Sequence, residues 1–312
     1  MKKILKYTGI TFLVILALAF LLPILFKGKI VKLVKAEINN TVLAKVDFKD
    51  VSISLFRHFP KLSIGLENLS VTGIDEFAND TLISAAQADV SVNIITAISG
   101  DEIKVHGVFL QSPRIHALVN KNGKANWEII KPDTVASSAT ASSFKMNLEK
   151  YAIEDGYVFY RDDEAGIQAE VFNIEHEGSG DFTSDVFTLA TKTNSGAVNF
   201  IYAGIPYLAN TKTNVDAEFI IDNKTSTYSF KNAAIKIADL NILTNGFMRL
   251  DNDSTYTMDI SFDAPANSFK NFLSLVPSVY KNDFEKIKTS GAASFKGFVK
   301  GTYSPTQLPA YN

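Results

Sequence analysis

The sequence has no cysteine, one tryptophan and four histidines among its 312 residues. Without cysteine the chain can form no disulfide, carry no thiolate nucleophile and build no cysteine-ligated zinc site. The histidines lie in separate segments and form no His-x-His or His-x-x-x-His pair: His58, His106, His116 and His176. A metal site would need ligands from distant segments, so we expect structural or surface histidines and no metal or other cofactor.

Basic residues are scarce beyond the N-terminus. Seven lysines lie in the first 35 residues, where there is no acidic residue; the rest of the chain holds 24 of the 31 basic residues against 33 acidic ones, a net charge of −9. An acidic body repels phosphate backbones, which argues against a nucleic-acid partner. The sequence also lacks a Walker loop, a dinucleotide fingerprint and a Gly-x-Ser-x-Gly motif, so we predict that the protein is not an enzyme.

One long hydrophobic run is present, at residues 7–26. Twenty uncharged residues would span about 30 Å as a helix, which is enough to cross a bilayer. A cleaved signal peptide is the alternative, with Ala17-Leu18-Ala19 as the cleavage site, but the apolar run continues beyond that point. We therefore predict a retained transmembrane anchor after a short cytoplasmic N-terminus at residues 1–6. We predict that three large apolar residues of this run are membrane-anchor residues: Phe12, Leu16 and Phe20.

Lysines flank the anchor on both sides, so charge alone does not orient it. A large acidic domain after a short basic N-terminus usually crosses the membrane. We therefore expect a single-pass protein of the inner (cytoplasmic) membrane, with its bulk in the periplasm.

Residues 27–45 have the pattern of a short amphipathic helix. Apolar residues fall at helical spacing and lysines occupy the other positions: Ile30, Leu33, Val34 and Ile38. Such a helix could lie on anionic headgroups or cap one end of the following domain, and the pattern does not separate these interpretations.

From Val46 onward, apolar and polar residues alternate, which is typical of half-buried strands. The segment from Tyr256 to Phe262 is a clear example. Helical spacing recurs only near residues 268–276, so we predict a mainly β fold: an elongated, curled antiparallel sheet, groove-like, with few short helices. We divide the body into a first β segment at 46–131, a flexible Ser/Ala/Thr-rich loop at 132–144 and a second β segment at 145–312; a true domain boundary at the loop is the alternative.

Short polar motifs separate the predicted strands. Asn122-Gly123, Asp155-Gly156 and Asn245-Gly246 have the chemistry of tight turns. Asp162-Asp163-Glu164 precedes Ala-Gly, so we interpret it as a solvated hairpin tip and not as a cation site. We expect the single tryptophan, Trp127, to have a structural role.

Several segments resemble the AsmA-like family of envelope proteins, in the versions found in Bacteroidetes-type bacteria. The resemblance covers nearly the whole chain, and many relatives are longer, so it is to an N-terminal part or a short member of the family. It is carried by the anchor together with Val46-Asp47-Phe48, Phe59-Pro60-Lys61-Leu62, Ser112-Pro113-Arg114-Ile115, Asn122-Gly123-Lys124-Ala125-Asn126-Trp127 and Gly297-Phe298-Val299-Lys300-Gly301. The resemblance implies an elongated, twisted β groove after an inner-membrane anchor, and a role in phospholipid transport or outer-membrane assembly.

A sheet with one apolar face must cover it with another layer, by closure or with a ligand. Given the resemblance, we favour membrane lipids, phospholipid above all, over an ordinary sandwich core. A non-transporting scaffold that contacts envelope assembly proteins is the alternative function. The candidate groove residues are the apolar positions of the first strands: Leu62, Ile64, Leu66, Val90, Val92, Ile94, Ile103 and Val105.

Overall fold

The fold is mainly β, and the strands are long. The computed structural model describes residues 28, 31–32, 35–36, 38–40, 42–54, 61–92, 105–129, 131, 149–252, 255–273, 290–304 and 306–312. The strands are β1 (Lys45–Asp47), β2 (Asp50–Ser54), β3 (Leu62–Thr72), β4 (Thr81–Val92), β5 (Val105–Gln111), β6 (Arg114–Val119), β7 (Lys150–Asp162), β8 (Ile167–Gly180), β9 (Val186–Tyr202), β10 (Ile205–Asp222), β11 (Thr227–Ile237), β12 (Leu240–Asn252), β13 (Thr255–Ser268), β14 (Ala292–Tyr303) and β15 (Ala310–Tyr311).

All 15 strands of the described ranges belong to one large curled sheet. Strands that follow one another in sequence are mostly hydrogen bonded to each other, and the sheet continues from β5 and β6 into β7 across the segment that we considered as a domain boundary. The expectation of a purely antiparallel sheet was wrong, because β5 and β6 both pair with β7 in parallel. The connection from residue 120 to residue 149 is long enough to cross back over the sheet, which a parallel pair requires.

Two positions in the sheet are filled by pairs of short strands. Strands β1 and β2 follow one another along β3, and β5 and β6 follow one another along β7. The second break lies at Ser112, which has a φ of 47°, and at the fully buried Pro113. Proline has no N–H to donate to the ladder, so it fits only where the ladder is interrupted.

Residues with positive φ recur inside the strands. Asn68, Asp155, Asn173, Asn210 and Asn232 have φ values of 51°, 50°, 49°, 51° and 49°. Asparagine and aspartate tolerate this left-handed conformation better than other residues with a side chain. Each such residue bends its strand and changes which of the following side chains point to a given face.

Two predicted turns lie within strands. Asp155-Gly156 is a bulge in β7, and Asn245-Gly246 lies inside β12, where Gly246 pairs with Ile260 of β13. Asn122-Gly123 does form a turn, closed by a hydrogen bond from the Gly123 N–H to the Asn120 carbonyl. Asp155 lies in a bulge of β7, whereas Asn245 lies opposite a bulge of β11, so the long strands continue through both motifs.

Helices are short in the part of the chain that the structure describes. One helix spans Phe269–Leu273, within the range predicted at 268–276. Residues 28, 31–32, 35–36 and 38–40 are also helical, and we call them the N-terminal helical segment. Within the described ranges, no helix has the length and apolar character needed to cross a bilayer. The predicted anchor, with Phe12, Leu16 and Phe20, lies outside the described residues.

Candidate functional site

One face of the sheet is apolar from the first strands to the last. Directly opposed residues of paired strands share a face, so the cross-strand register traces this face across the molecule. We call it the inner face and define it by Ile64, Val90, Tyr151, Phe219 and Ile260. It is traced by the successive pairs Ile53–Ile64, Ile64–Val90, Val90–Val108, Val108–Tyr151, Tyr151–Gly178, Gly178–Thr191, Thr191–Ala217, then Phe219–Phe230, Phe230–Gly246, Gly246–Ile260 and Ile260–Val299.

The register brings most of the candidate groove residues to this face. It pairs Leu62 with Val92, Ile64 with Val90, Leu66 with Ala88 and Val92 with Val105. Ile94 and Ile103 lie outside the described residues. That any of these residues contacts lipid stays a prediction.

The candidates differ in exposure. Val92 and Val105 are each only 2% exposed, whereas Ile64 is 36% exposed. Val92 and Val105 form a cluster packed against Val90, Val108, Tyr151 and Phe182. Val92 and Val105 are therefore core residues in this structure, and Ile64 is accessible.

The N-terminal helical segment covers another part of the inner face. Ile38 packs against a cluster of buried residues formed by Ala44, Val46, Val71 and Leu82, which Ile129 also contacts. The Asn39 side chain accepts a hydrogen bond from the Val46 N–H and donates one to its carbonyl, each 2.8 Å long. These two bonds imitate strand pairing, so the end of the helical segment is held against β1.

Phe182 covers the inner face at the opposite ends of the strands. It lies in the β8–β9 connection, and its ring centroid is 6.2 Å from that of Tyr151 and 4.8 Å from that of Phe187. Elements of the chain itself thus cover parts of the first half of the inner face, while Ile53 and Ile64 stay accessible.

The second half of the inner face, from β10 to β14, is more open. Tyr228, Leu250, Phe295 and Tyr303 are 39%, 36%, 51% and 42% exposed. Other large side chains on it are partly buried: Phe219, Phe230, Met248, Met258, Ile260 and Phe262. Aromatic rings from neighbouring strands contact each other in the pairs Phe219–Phe230, Phe262–Phe295 and Tyr256–Tyr303. The candidate list missed this region, although its strands show the same alternation of apolar and polar residues.

The opposite face, which we call the outer face, is charged. Along β13 and β14 the Lys300 ammonium lies 2.6 Å from the Asp259 carboxylate, and Lys296 lies 2.9 Å from Asp263. Lys150 of β7 pairs similarly with Glu177 of β8 at 3.5 Å. Such ladders are typical of a solvated surface, so the two faces have opposite chemical character.

The histidines occupy separate surroundings. Nδ1 of His106 lies 2.9 Å from Glu149, and His116 contacts the rings of Tyr157 and Phe159. Because β5 and β6 lie end to end, His106 and His116 are separated by ten residues of strand, roughly 30 Å. No group of three or more His, Asp or Glu residues with metal-binding geometry occurs among the described residues. His58 lies outside them.

The acidic motif at residues 162–164 forms the turn between β7 and β8. Oδ1 of Asp162 accepts hydrogen bonds from the backbone N–H groups of Glu164 and Ala165, at 2.9 and 2.7 Å. Trp127 lies against Tyr160, with ring centroids 6.2 Å apart, and is 43% exposed.

Comparisons with known proteins identify the family. No curated protein and no solved structure matches the chain at a significant level. The family model for AsmA matches residues 1–295 of the 312. A match over nearly the whole chain, joined to a long curled sheet with one apolar face, places this protein: it belongs to the AsmA family.

Proposed function

We propose that the protein is a membrane-anchored periplasmic AsmA-like protein of outer-membrane biogenesis, which binds or conducts phospholipid along the inner face of its sheet. The observation that carries this proposal is the mainly apolar inner face, whose second half remains partly exposed. Contiguous exposed apolar surfaces of this kind are rare on monomeric soluble proteins and usually mark a binding surface.

The dimensions of the face suit several acyl chains. Thirteen strands follow one another along the sheet, and at about 4.8 Å per strand they extend about 60 Å. The hydrocarbon core of a bilayer is about 30 Å thick. A phospholipid could therefore bury its chains on the inner face while its headgroup stays in water.

The role that we propose for the chain is non-catalytic. An extended apolar surface offers acyl chains many weak and equivalent contacts, which suits movement along the face better than tight binding at one point. The predicted anchor would hold the first strands close to the inner membrane, where phospholipid is available.

Site-specific photo-crosslinking in cells tests the proposal. Ile260 of β13 lies on the inner face, whereas its neighbour Ser261 is exposed on the outer face. The full-length chain would carry the photo-reactive residue p-benzoylphenylalanine at one or the other position, and adducts would be identified by mass spectrometry. We expect phospholipid adducts at position 260 and few at position 261. Equal yields at both positions, or protein adducts alone, would contradict lipid binding on the inner face.

A scaffold for outer-membrane protein assembly is the second candidate function, and one observation favours it. Within the described residues, the C-terminal segment pairs with the outer edge of β14 at Phe298, Val299 and Lys300, so the part of the edge before Phe298 is left for another strand. Open edges can accept a strand from a partner. Adding a third photo-reactive position on the β14 edge separates the candidates, because a scaffold would give protein adducts at that edge and no lipid adducts at position 260.

A further inference from the structure

A polar patch interrupts the apolar inner face where β8, β9 and β10 lie side by side. We call it the hydroxyl patch; it consists of His176, Thr191, Thr193, Ser195, Thr211 and Thr213. The register places His176 opposite Thr193 and Ser195 opposite Thr213. Apolar inner-face positions of β9 flank it on both sides: Phe187 and Leu189 on one side, Val198 and Phe200 on the other.

The side chains of the hydroxyl patch are close to one another and partly shielded. Nδ1 of His176 lies 2.7 Å from the Thr193 hydroxyl, and the Ser195 and Thr213 hydroxyls are 2.6 Å apart. Ser195 is only 7% exposed. The ring of Tyr151 lies over that of His176, with centroids 5.1 Å apart.

The patch carries no formal charge. The inner-face positions of β8, β9 and β10 between the rows of Leu189 and Phe200, which are all described, include no Lys, Arg, Asp or Glu. Burial lowers the pKa of His176, with a smaller opposing effect of the Glu177 carboxylate, so the ring is neutral at neutral pH. An anionic phosphate would find no cation here and an ammonium group no carboxylate.

The His176–Thr193 pair keeps one hydrogen-bond donor for a third group. If the Thr193 hydroxyl donates to Nδ1, the neutral ring carries its proton on Nε2, which can donate. If Nδ1–H donates to Thr193, the Thr193 hydroxyl hydrogen remains. Either tautomer therefore offers one donor, and the complementary partner is an uncharged acceptor.

We infer that the hydroxyl patch binds the ester region of a glycerolipid, with the acyl chains on the apolar inner face beside it. An ester carbonyl has no charge and only accepts hydrogen bonds. It therefore matches a patch that carries no formal charge and offers one hydrogen-bond donor. The inference rests on the lipid-binding function proposed above and adds to it a preferred position for the lipid along the face. The apolar rows on both sides of the patch then accept the chains.

A competition assay with ester and ether lipids tests the inference. The full-length protein in dodecyl maltoside would be photo-crosslinked to a diazirine-labelled phosphatidylcholine, with unlabelled dioleoyl phosphatidylethanolamine or its dialkyl ether counterpart as competitor. The ether lipid keeps the headgroup and chains but has no carbonyl. We expect the ester lipid to compete about three- to tenfold more strongly, as one net hydrogen bond implies. The double variant His176→Phe/Thr193→Val should remove this preference, because it removes both groups that can donate to the carbonyl. Thr188→Val, on the outer side of the same strand, should keep it.

The outcomes distinguish the inference from the function on which it rests. Equal competition by both lipids in the wild-type protein would overturn the ester site and leave lipid binding intact. A preference that persists unchanged in the double variant His176→Phe/Thr193→Val would also overturn it, since the carbonyl would then bind elsewhere. Failure of both lipids to compete would overturn the proposed function itself.

Discussion

At the scale of single residues, His176 has the most distinctive surroundings. It lies on the inner face, bonded to Thr193 and partly covered by Tyr151. Burial disfavours its charged form, so its pKa in the folded protein lies below the ordinary value of 6.5. Above pH 6.5 the ring is neutral in both the folded and the unfolded chain, and the histidine adds no pH dependence there. Below pH 6.5 the unfolded chain takes up a proton that the folded chain resists, which favours unfolding.

We therefore expect the melting temperature to fall between pH 7 and pH 5.5, and part of this fall to vanish in His176→Phe. Thermal melts followed by circular dichroism at several pH values would measure it. The quantity compared is the fall in melting temperature between pH 7 and pH 5.5 in each protein. A general loss of packing in His176→Phe lowers the melting temperature at every pH and therefore does not change this fall. Parallel pH dependences in the two proteins would contradict the assignment to His176.

At the scale of strands, the positive-φ residues decide which side chains reach the inner face. In β11, Phe230 and Ala233 both lie on the inner face although they are three positions apart. Asn232, which lies between them, has a φ of 49°. The Asn232 N–H donates to the Asn245 side chain of β12 at 2.7 Å. The bulge is thus held by its neighbouring strand, and it keeps the apolar residues on one face despite the irregular spacing.

Replacing Asn232 by valine should destabilise the protein by about 1–2 kcal/mol, because a β-branched residue resists left-handed φ. Asn232→Gly should change the free energy of unfolding by only a few tenths of a kcal/mol. Lys231→Val, at an exposed position in the same strand, is the control for a general effect of valine. Urea titrations of the full-length protein would measure all three. Equal losses for Asn232→Val and Lys231→Val would show that backbone conformation is not the cause.

At the scale of the whole molecule, the inner face is partly covered in its first half and more open in its second. The N-terminal helical segment and Phe182 cover two parts of the first half, whereas large aromatic and aliphatic side chains remain accessible from β10 to β14. A lipid on the inner face should therefore contact the second half more than the first.

The absence of cysteine makes this arrangement measurable by labelling. Single cysteines along β11 would carry a polarity-sensitive fluorophore, and phospholipid would be added. We expect blue-shifted emission at the inner-face positions 228, 230, 233 and 235, and little change at 229, 231, 234 and 236. The period of two should break at Asn232. No response at any position would contradict the proposed lipid surface. A regular alternation through position 232 would contradict the break in the period at Asn232.

The sequence predicted the local pattern of the strands better than the features that depend on contacts between distant segments. Alternation along the chain predicted a mainly β fold, and residues such as Tyr256, Met258, Ile260 and Phe262 do share one face of β13. The same reasoning misassigned Asp155-Gly156 and Asn245-Gly246 as turns, because the residue types of a turn also occur in a bulge and opposite one. The candidate groove residues were taken from the first strands, where Val92 and Val105 prove to be buried by side chains distant in sequence, Tyr151 and Phe182.

What the sequence determined by itself is the chemistry of each strand: alternation places apolar side chains on one face and charged ones on the other, since this property depends only on the period of two along an extended chain. The tertiary structure alone decided the parallel pairing of β5 and β6 with β7, the part of the inner face that remains open, and the meeting of His176, Thr193, Ser195 and Thr213 in one patch. Each of these depends on the register between strands. Register is set by pairings between distant segments, and the local pattern of one strand does not contain it.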